Sequence, residues 1–113
     1  MAEFRVIAAH QRSYESPIAG NKDDALTHSR REDDEPGWKW CKHGITGLSG
    51  WVPEAFIDLH GSQAILNRDY NALELSVPIG ESLTVTQSVA GWSHCIRADG
   101  AAGWVPSNKL VPA

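Results

Sequence analysis

The sequence lacks the features of disulfide-rich, membrane-spanning and nucleic-acid-binding proteins. Only two cysteines, Cys41 and Cys95, occur among 113 residues, so a disulfide framework is not predicted. No stretch approaches the roughly 20 apolar residues that cross a bilayer, and no apolar signal-peptide core follows the first residues. The net charge of -4 leaves too few basic residues to neutralise a phosphate backbone. We therefore predict a cytoplasmic chain whose partner is neither nucleic acid nor a membrane.

Motifs for catalysis and metal binding are also missing. The five histidines include no i, i+4 pair, and no CxxC pair occurs, so no metal site is predicted. The sequence has no Gly-rich phosphate loop and no nucleophile elbow. We expect no enzymatic activity and no cofactor.

The sequence also lacks the pattern of long helices. Ten Gly and six Pro interrupt the chain, and no window keeps a spacing of 3.6 residues. Apolar residues instead alternate with polar ones, as in "SLTVTQS" at 82–88, which is the pattern of half-buried strands. The predicted fold class is all-β.

What the sequence does contain is an internal repeat. "GWKWC" at 37–41 returns as "GWSHC" at 91–95, and "GWVPEAFI" at 50–57 returns as "GWVPSNKL" at 103–110. The offset is 57 at Leu26 and Leu83, 54 at Trp38 and Trp92, and 53 at Trp51 and Trp104. Because insertions collect in loops, a stretch in which the offset is constant indicates strands, and each change of the offset indicates a turn.

The repeat predicts two small units of about five strands each. At the front, "RVIAA" against "QAILN" suggests an offset near 58. We predict a first unit at 1–59, a short linker at 60–63 and a second unit at 64–113. Strand alternation directs Cys41, Val52, Cys95 and Val105 inward, and it directs Trp38, Trp51, Trp92 and Trp104 to the opposite, outward face.

The second copy resembles a Src-homology-three (SH3) domain along nearly its whole length. The resemblance is based on "DY" at 69–70, "GW" at 91–92 and "GWVPSNKLV" at 103–111. The first copy is a more divergent version, and the pair is similar to variant domains of bacterial proteins. The resemblance implies two five-stranded barrels in tandem, without catalysis, that bind extended and proline-bearing peptides through aromatic grooves.

The resemblance also implies site residues. In the second copy they are Tyr70, Trp92, Trp104, Pro106 and Asn108. In the first copy they are Trp38, Trp51, Pro53 and Phe56, with His10 near the tyrosine positions and Tyr14 as a substitute. The carboxylates Glu32, Asp33, Asp34 and Glu35 border Trp38 and favour a basic ligand residue. Arg68 and Lys109 stand where the family places tyrosines, so the first copy is the better candidate.

Three functions remain open at this point. The leading one is a protein-interaction module for extended peptides, proline-rich or basic. The second is a cell-wall or carbohydrate-binding module, since exposed indole rings also suit sugar rings. In the third, the tandem pair is structural and its grooves are buried between the domains.

Overall fold

The computed structural model describes residues 2–113, and within this range the chain is all-β without an α-helix. The predicted fold class is confirmed at this level. The strands are β1 (Ala2–Val6), β2 (Ala19–Gly20), β3 (Ala25–Ser29), β4 (Trp38–His43), β5 (Ser49–Pro53), β6 (Ile57–His60), β7 (Gln63–Leu66), β8 (Tyr70–Asn71), β9 (Ser82–Val89), β10 (Trp92–Ile96), β11 (Ala102–Pro106) and β12 (Leu110–Pro112). Single 3₁₀ turns at Glu54–Phe56 and Ser107–Lys109 precede β6 and β12.

The chain forms two compact units that are not consecutive in sequence. The central unit is Ser16–Ala72, and the terminal unit combines the chain up to Glu15 with Leu73–Ala113. The boundaries therefore differ from the predicted ones at 1–59 and 64–113. The central unit is inserted into the sequence of the terminal unit.

Each unit contains one five-stranded antiparallel sheet, and the two sheets have the same strand order. The central sheet runs β5-β4-β3-β7-β6 and the terminal sheet runs β11-β10-β9-β1-β12. The central unit also has a two-stranded ladder in which β2 pairs with β8. Strands β3 to β6 thus correspond to β9 to β12 of the second copy, in the order that the repeat predicted.

The first strands of the two copies are exchanged between the sheets. β7 begins the second copy but pairs with β3 of the first, with Gln63 opposite Thr27. β1 begins the first copy but pairs with β9 of the second, with Glu3 opposite Thr84. Thr27 and Thr84 are 57 positions apart, so Glu3 and Gln63 are equivalent residues, and the front offset is 60, within two residues of the predicted 58.

A tight turn accounts for this exchange. His60 pairs directly with Gln63, so β6 and β7 form a hairpin with a loop of two residues, Gly61 and Ser62. Gly61 has a φ of 63°, which glycine adopts without steric cost. A two-residue loop keeps its strands side by side and antiparallel, so β7 stays in the sheet of β6. The segment that we predicted as a linker at 60–63 is this turn.

The buried residues agree with the predicted alternation. Cys41, Val52, Cys95 and Val105 are all 0% exposed, which confirms that they point inward. The core of the terminal unit is Val6, Leu75, Val77, Leu83, Cys95, Val105 and Leu110. The buried apolar residues of the central unit include Ile18, Leu26, Cys41, Val52, Phe56, Ile57, Ala64, Leu66 and Tyr70.

One glycine in each copy allows a second segment to approach the sheet. A Cβ on Gly103 would lie 2.8 Å from the carbonyl oxygen of Leu73, whose segment pairs with β11 through Trp104. A Cβ on Gly50 would lie 2.9 Å from the Ile18 side chain. The repeated "GW" before each "VP" therefore has a packing reason, because a larger residue would displace these segments.

The strand exchange predicts which cysteine pair can be crosslinked in the full chain. Glu3 and Thr84 are cross-strand neighbours whose side chains are 2.9 Å apart, from Oε1 to Oγ1. The double variant Glu3→Cys with Thr84→Cys should form an intramolecular disulfide on mild oxidation, seen as a peptide crosslink by mass spectrometry. The matched control is Gln63→Cys with Thr84→Cys, which should stay reduced. Crosslinking of the control pair instead would show that β7 lies beside β9.

Candidate functional site

The exchange regroups the residues that the resemblance assigned to two grooves. Tyr70 and His10 are equivalent under the offset of 60, but Tyr70 lies in the central unit and His10 in the terminal unit. We call Trp38, Pro53, Phe56 and Tyr70 the central groove. We call His10, Trp92, Pro106 and Lys109 the terminal groove. Each groove therefore combines the tyrosine position of one copy with the tryptophan and proline of the other.

The central groove is built at one end of the β4–β5 pair. Trp38 is the cross-strand partner of Pro53, and Pro53 leads into the 3₁₀ turn that carries Phe56. The rings of Phe56 and Tyr70 meet edge to face, with centroids 5.4 Å apart and an interplanar angle of 75°. The Tyr70 hydroxyl donates a hydrogen bond of 2.9 Å to the carbonyl of Trp51. An aromatic pair of this geometry contributes about 0.5–1.5 kcal/mol beyond its buried area.

Most side chains of this groove are buried rather than exposed. Phe56 is 3% exposed and Tyr70 is 7% exposed, and Pro53 is also buried. Trp38 is half-buried. The guanidinium of Arg68 lies over the Phe56 ring, with its carbon 4.3 Å from the ring centroid. The accessible surface here is therefore provided by Trp38 and Arg68.

A shallow depression adjoins the groove along β2 and β8. It has a volume of about 400 Å³ and is lined by Ala19, Gly20, Asn21, Asp69, Tyr70 and Asn71. Asp69 accepts a hydrogen bond of 2.8 Å from the backbone of Lys22, which ties the two sides of this region together. The depression and the central groove share Tyr70.

A tryptophan that sequence reasoning missed, Trp40, lies beside the predicted Trp51 on the outer face of the same sheet. Trp40 and Trp51 are cross-strand partners, and their rings meet edge to face at 5.1 Å. Arg31 covers the Trp40 ring at 4.2 Å. Trp40 lies two residues after Trp38 and precedes buried Cys41, so the period of two along β4 could have identified it.

The acidic loop before β4 is partly neutralised by its own arginine. Arg31 pairs with Asp33 at 2.9 Å, and this hydrogen bond lowers the pKa of the Asp33 carboxyl below 3.8. The backbone amide of Arg31 donates to Asp34 Oδ2, whereas the other oxygen of Asp34 is buried without a hydrogen-bond partner among residues 2–113. Glu32 and Glu35 are exposed and form no ion pair within that range. Two of the four predicted carboxylates thus remain available to a ligand.

The terminal groove contains a polar network where the central groove has two aromatic rings. The His10 ring contacts Trp92 at 5.6 Å, and its Nε2 lies 2.7 Å from the Glu74 carboxylate. Lys109 Nζ is 3.1 Å from His10 Nδ1 and donates a second hydrogen bond to the carbonyl of Ala9. An ammonium group only donates, so Nδ1 accepts and Nε2–H donates to Glu74. Hydrogen-bonded polar side chains, His10 and Lys109, thus stand where the central groove has Tyr70 and Phe56.

Glu74 was not predicted because its partners are distant in sequence. Its side chain is buried, and Oε1 also accepts hydrogen bonds from the amide and hydroxyl of Ser13. Its backbone carbonyl accepts from Arg12 Nε. Glu74 therefore anchors the segment that follows β1, and no local pattern indicates such a partner 61 to 64 residues away.

The remaining predicted residues belong to the terminal unit. Trp104 is 4% exposed, so the predicted outward wall does not form at this position; His94 packs against its ring at 5.2 Å. Tyr14 is 45% exposed and belongs to the terminal unit. In the groove that contains Trp38, Tyr70 occupies the tyrosine position for which we predicted Tyr14 as a substitute. Pro106 is half-buried and Asn108 is exposed beside the 3₁₀ turn before β12.

Residues 2–113 contain no cluster of three or more His, Cys, Asp or Glu side chains that could hold a metal ion. Within the same range no helix has the length and apolarity needed to cross a membrane.

The two cysteines are free and buried, one in each unit. Burial raises the pKa of both Cys41 and Cys95 to about 11, so almost no thiolate exists at neutral pH. A thiol in this state is a weak nucleophile.

We predict that both thiols are protected in the folded protein. At pH 7.5 neither Cys41 nor Cys95 should react with iodoacetamide over a period in which a small-molecule thiol is fully alkylated. Both should react within the same period in 6 M guanidinium. Rapid alkylation of either cysteine without denaturant, measured by intact mass, would contradict the buried placement.

His43 and Asp24 form a polar pair at the edge of the central core. His43 is 4% exposed, and its Nδ1 accepts hydrogen bonds from the amides of Ile45 and Thr46 at 3.1 and 3.2 Å. Nε2–H is left to donate to Asp24 at 2.8 Å. The pair fixes the turn between β4 and β5 and presents no free basic nitrogen to a substrate. The hydrogen bond from His43, followed by one from the Asn21 amide, lowers the pKa of Asp24 below 3.8.

This pKa shift predicts a pH-dependent stability difference. A carboxyl whose pKa is lower in the folded state stabilises the fold above pH 3.8, and this contribution is lost as the pH falls through the folded value. Asp24→Asn should therefore lower the free energy of unfolding at pH 7, with a difference from wild type that shrinks below about pH 3.8. Urea titrations measure this, with exposed Asp58→Asn as the control. A difference that stays constant from pH 7 to pH 2.5 would refute the assignment.

Comparison with protein-family models, with curated proteins and with solved structures finds no match to this chain.

Proposed function

We propose that the chain is a non-catalytic protein-interaction module made of two SH3-like units, and that its central unit binds an extended peptide. The strand order supports the SH3 likeness, because both sheets place the first strand between the second and the last. A 3₁₀ turn also precedes the last strand of each sheet. The duplicated "GWVP" segments supply β5 and β11 in these two sheets.

The observation that carries the binding proposal is the contact between Phe56 and Tyr70. The two rings come from different copies of the repeat and meet at 5.4 Å beside Pro53. Both rings are buried, and half-buried Trp38, the cross-strand partner of Pro53, is the aromatic side chain that remains accessible to a ligand. A polyproline II ligand loses little conformational entropy on binding and presents flat proline faces, so a surface of this kind can hold it.

The terminal groove is a poorer binding surface. His10 and Lys109 occupy the positions of Tyr70 and Phe56, and their polar groups are bonded to Glu74 and to each other. An apolar proline face offers no hydrogen bonds to replace those that it would disrupt. We therefore assign peptide binding to the central unit.

A second candidate is carbohydrate binding by the Trp40 and Trp51 rings. The two indoles are adjacent and half-buried on the outer face of β4 and β5, which favours stacking with a sugar ring. Arg31 already covers the Trp40 face, so this candidate ranks second. Movement of the Trp40 and Trp51 indole signals, but not that of Trp38, on addition of N-acetylglucosamine oligomers would favour it.

We predict that a proline-rich peptide moves the Trp38 indole signal of the full-length chain in NMR titrations. The dissociation constant should be micromolar or weaker, because a small groove buries little area. Trp38→Ala should weaken binding about tenfold or more, and the milder Trp38→Phe should weaken it less.

The control for this prediction is Trp92→Ala in the terminal groove, which should leave peptide affinity unchanged. Signals that stay still at millimolar peptide would reject peptide binding. Equal losses in the Trp38 and Trp92 variants would reject its assignment to the central unit.

A further inference from the structure

Arg68 is held in a fixed position above the central groove. Its guanidinium stacks on Phe56 at 4.3 Å, and its Nε donates a hydrogen bond of 3.0 Å to Asn67 Oδ1. Asn67 is anchored in turn, because its side-chain nitrogen donates to the carbonyl of Ala55 at 3.1 Å. The arginine is thus oriented by the same 3₁₀ turn that carries Phe56.

The stacked arginine keeps most of its hydrogen-bond donors free. A guanidinium has five N–H groups in its plane, and stacking on a ring uses only its flat face. Arg68 is exposed, and among residues 2–113 its terminal nitrogens contact no carboxylate. Arg12, Arg31 and Arg97, by contrast, each pair with a carboxylate of their own unit. Asp69, the next residue, is engaged by the Lys22 amide.

This arrangement suits a carboxylate ligand. Two parallel N–H groups at a guanidinium edge match the two oxygens of a carboxylate, and a side chain that is already ordered loses little entropy on pairing. The free carboxylates Glu32 and Glu35 lie on the loop before Trp38, so an acidic ligand residue is disfavoured there by like charge. Charge therefore favours an acidic residue at Arg68.

We propose that Arg68 is a specificity-determining residue of the central groove and that its guanidinium binds a carboxylate of an extended peptide ligand. The proposal rests on the proposed function of this groove. It assigns the two parts of the ligand to different side chains: an apolar, proline-bearing stretch packs against the accessible part of Trp38, and an acidic group pairs with the outer edge of the Arg68 guanidinium. A carboxylate can come from an aspartate or glutamate side chain or from the end of the peptide.

The test uses the full-length chain and three capped proline-rich decapeptides that differ at one position, which is glutamate, glutamine or lysine. Wild type should bind the glutamate peptide about fivefold more tightly than the glutamine peptide, as an exposed charge-assisted pair allows. The lysine peptide should bind most weakly. The preference should fall in 0.5 M NaCl, because salt screens exposed charges.

Two substitutions separate recognition from packing. Arg68→Gln should remove the preference for glutamate and leave the affinity for the glutamine peptide within twofold of wild type. Arg68→Lys keeps the charge but loses the planar donor edge, so it should retain only part of the preference. Arg30→Gln, on the loop after β3, is the matched control and should change nothing. Thermal unfolding of each variant checks that the fold is retained.

The outcomes are distinguishable from failure of the proposed function. Equal binding by wild type of the capped glutamate peptide, the capped glutamine peptide and a fourth, glutamine peptide with a free C-terminus overturns the role of Arg68 and leaves the groove assignment intact. Equal weakening of all three peptides by Arg68→Gln also overturns it, since that result indicates packing on Phe56 alone. Absence of binding by every peptide overturns both proposals. A preference seen only for the glutamine peptide with a free, uncapped C-terminus supports the proposal and identifies the terminal carboxylate as the source.

Discussion

The two-residue turn at Gly61 and Ser62 is the constraint on which the rest of the structure depends. It holds β7 against β6, so the first strand of the second copy completes the sheet of the first copy. The place beside β9 is then filled by β1, through pairs that extend from Ala2 to Arg5. A connection long enough to release β7 would permit each copy to keep its own first strand. The exchange is therefore a consequence of loop length rather than of any difference between the strands.

The exchange decides the chemistry of the two grooves. Tyr70 reaches Phe56, and an aromatic pair forms from residues of different copies. His10 reaches Trp92 and Lys109, and its ring nitrogens are bound by a lysine and a glutamate. With unexchanged strands each groove would instead mix one aromatic and one polar position. Duplication followed by exchange has separated an apolar surface from a polar one, which fits a chain that binds through one of its two units.

Much of this fold could be predicted from the sequence, because offsets and alternation report local geometry. The repeat located β3 to β6 and β9 to β12, and the period of two identified the inward cysteines and valines. Partner choice could not be read in the same way, since "HGSQ" is compatible with both a linker and a hairpin turn. Trp104 has the alternation of an exposed residue, but it is 4% exposed and its ring meets His94 edge to face. Glu74 is bound to residues 61 to 64 positions away and has no local signal, and Arg68 stood out only as a departure from a tyrosine position, with no sign that it lies over Phe56.

The contact between Tyr70 and Phe56 tests the central claim most directly, because it requires both the exchange and the groove. Nuclear Overhauser measurements on the full-length chain in solution should give cross-peaks between the ring protons of these two residues, whose centroids are 5.4 Å apart. Cross-peaks from Tyr70 to the Trp92 ring, with none to Phe56, would show that each copy retains its own first strand and would contradict the account.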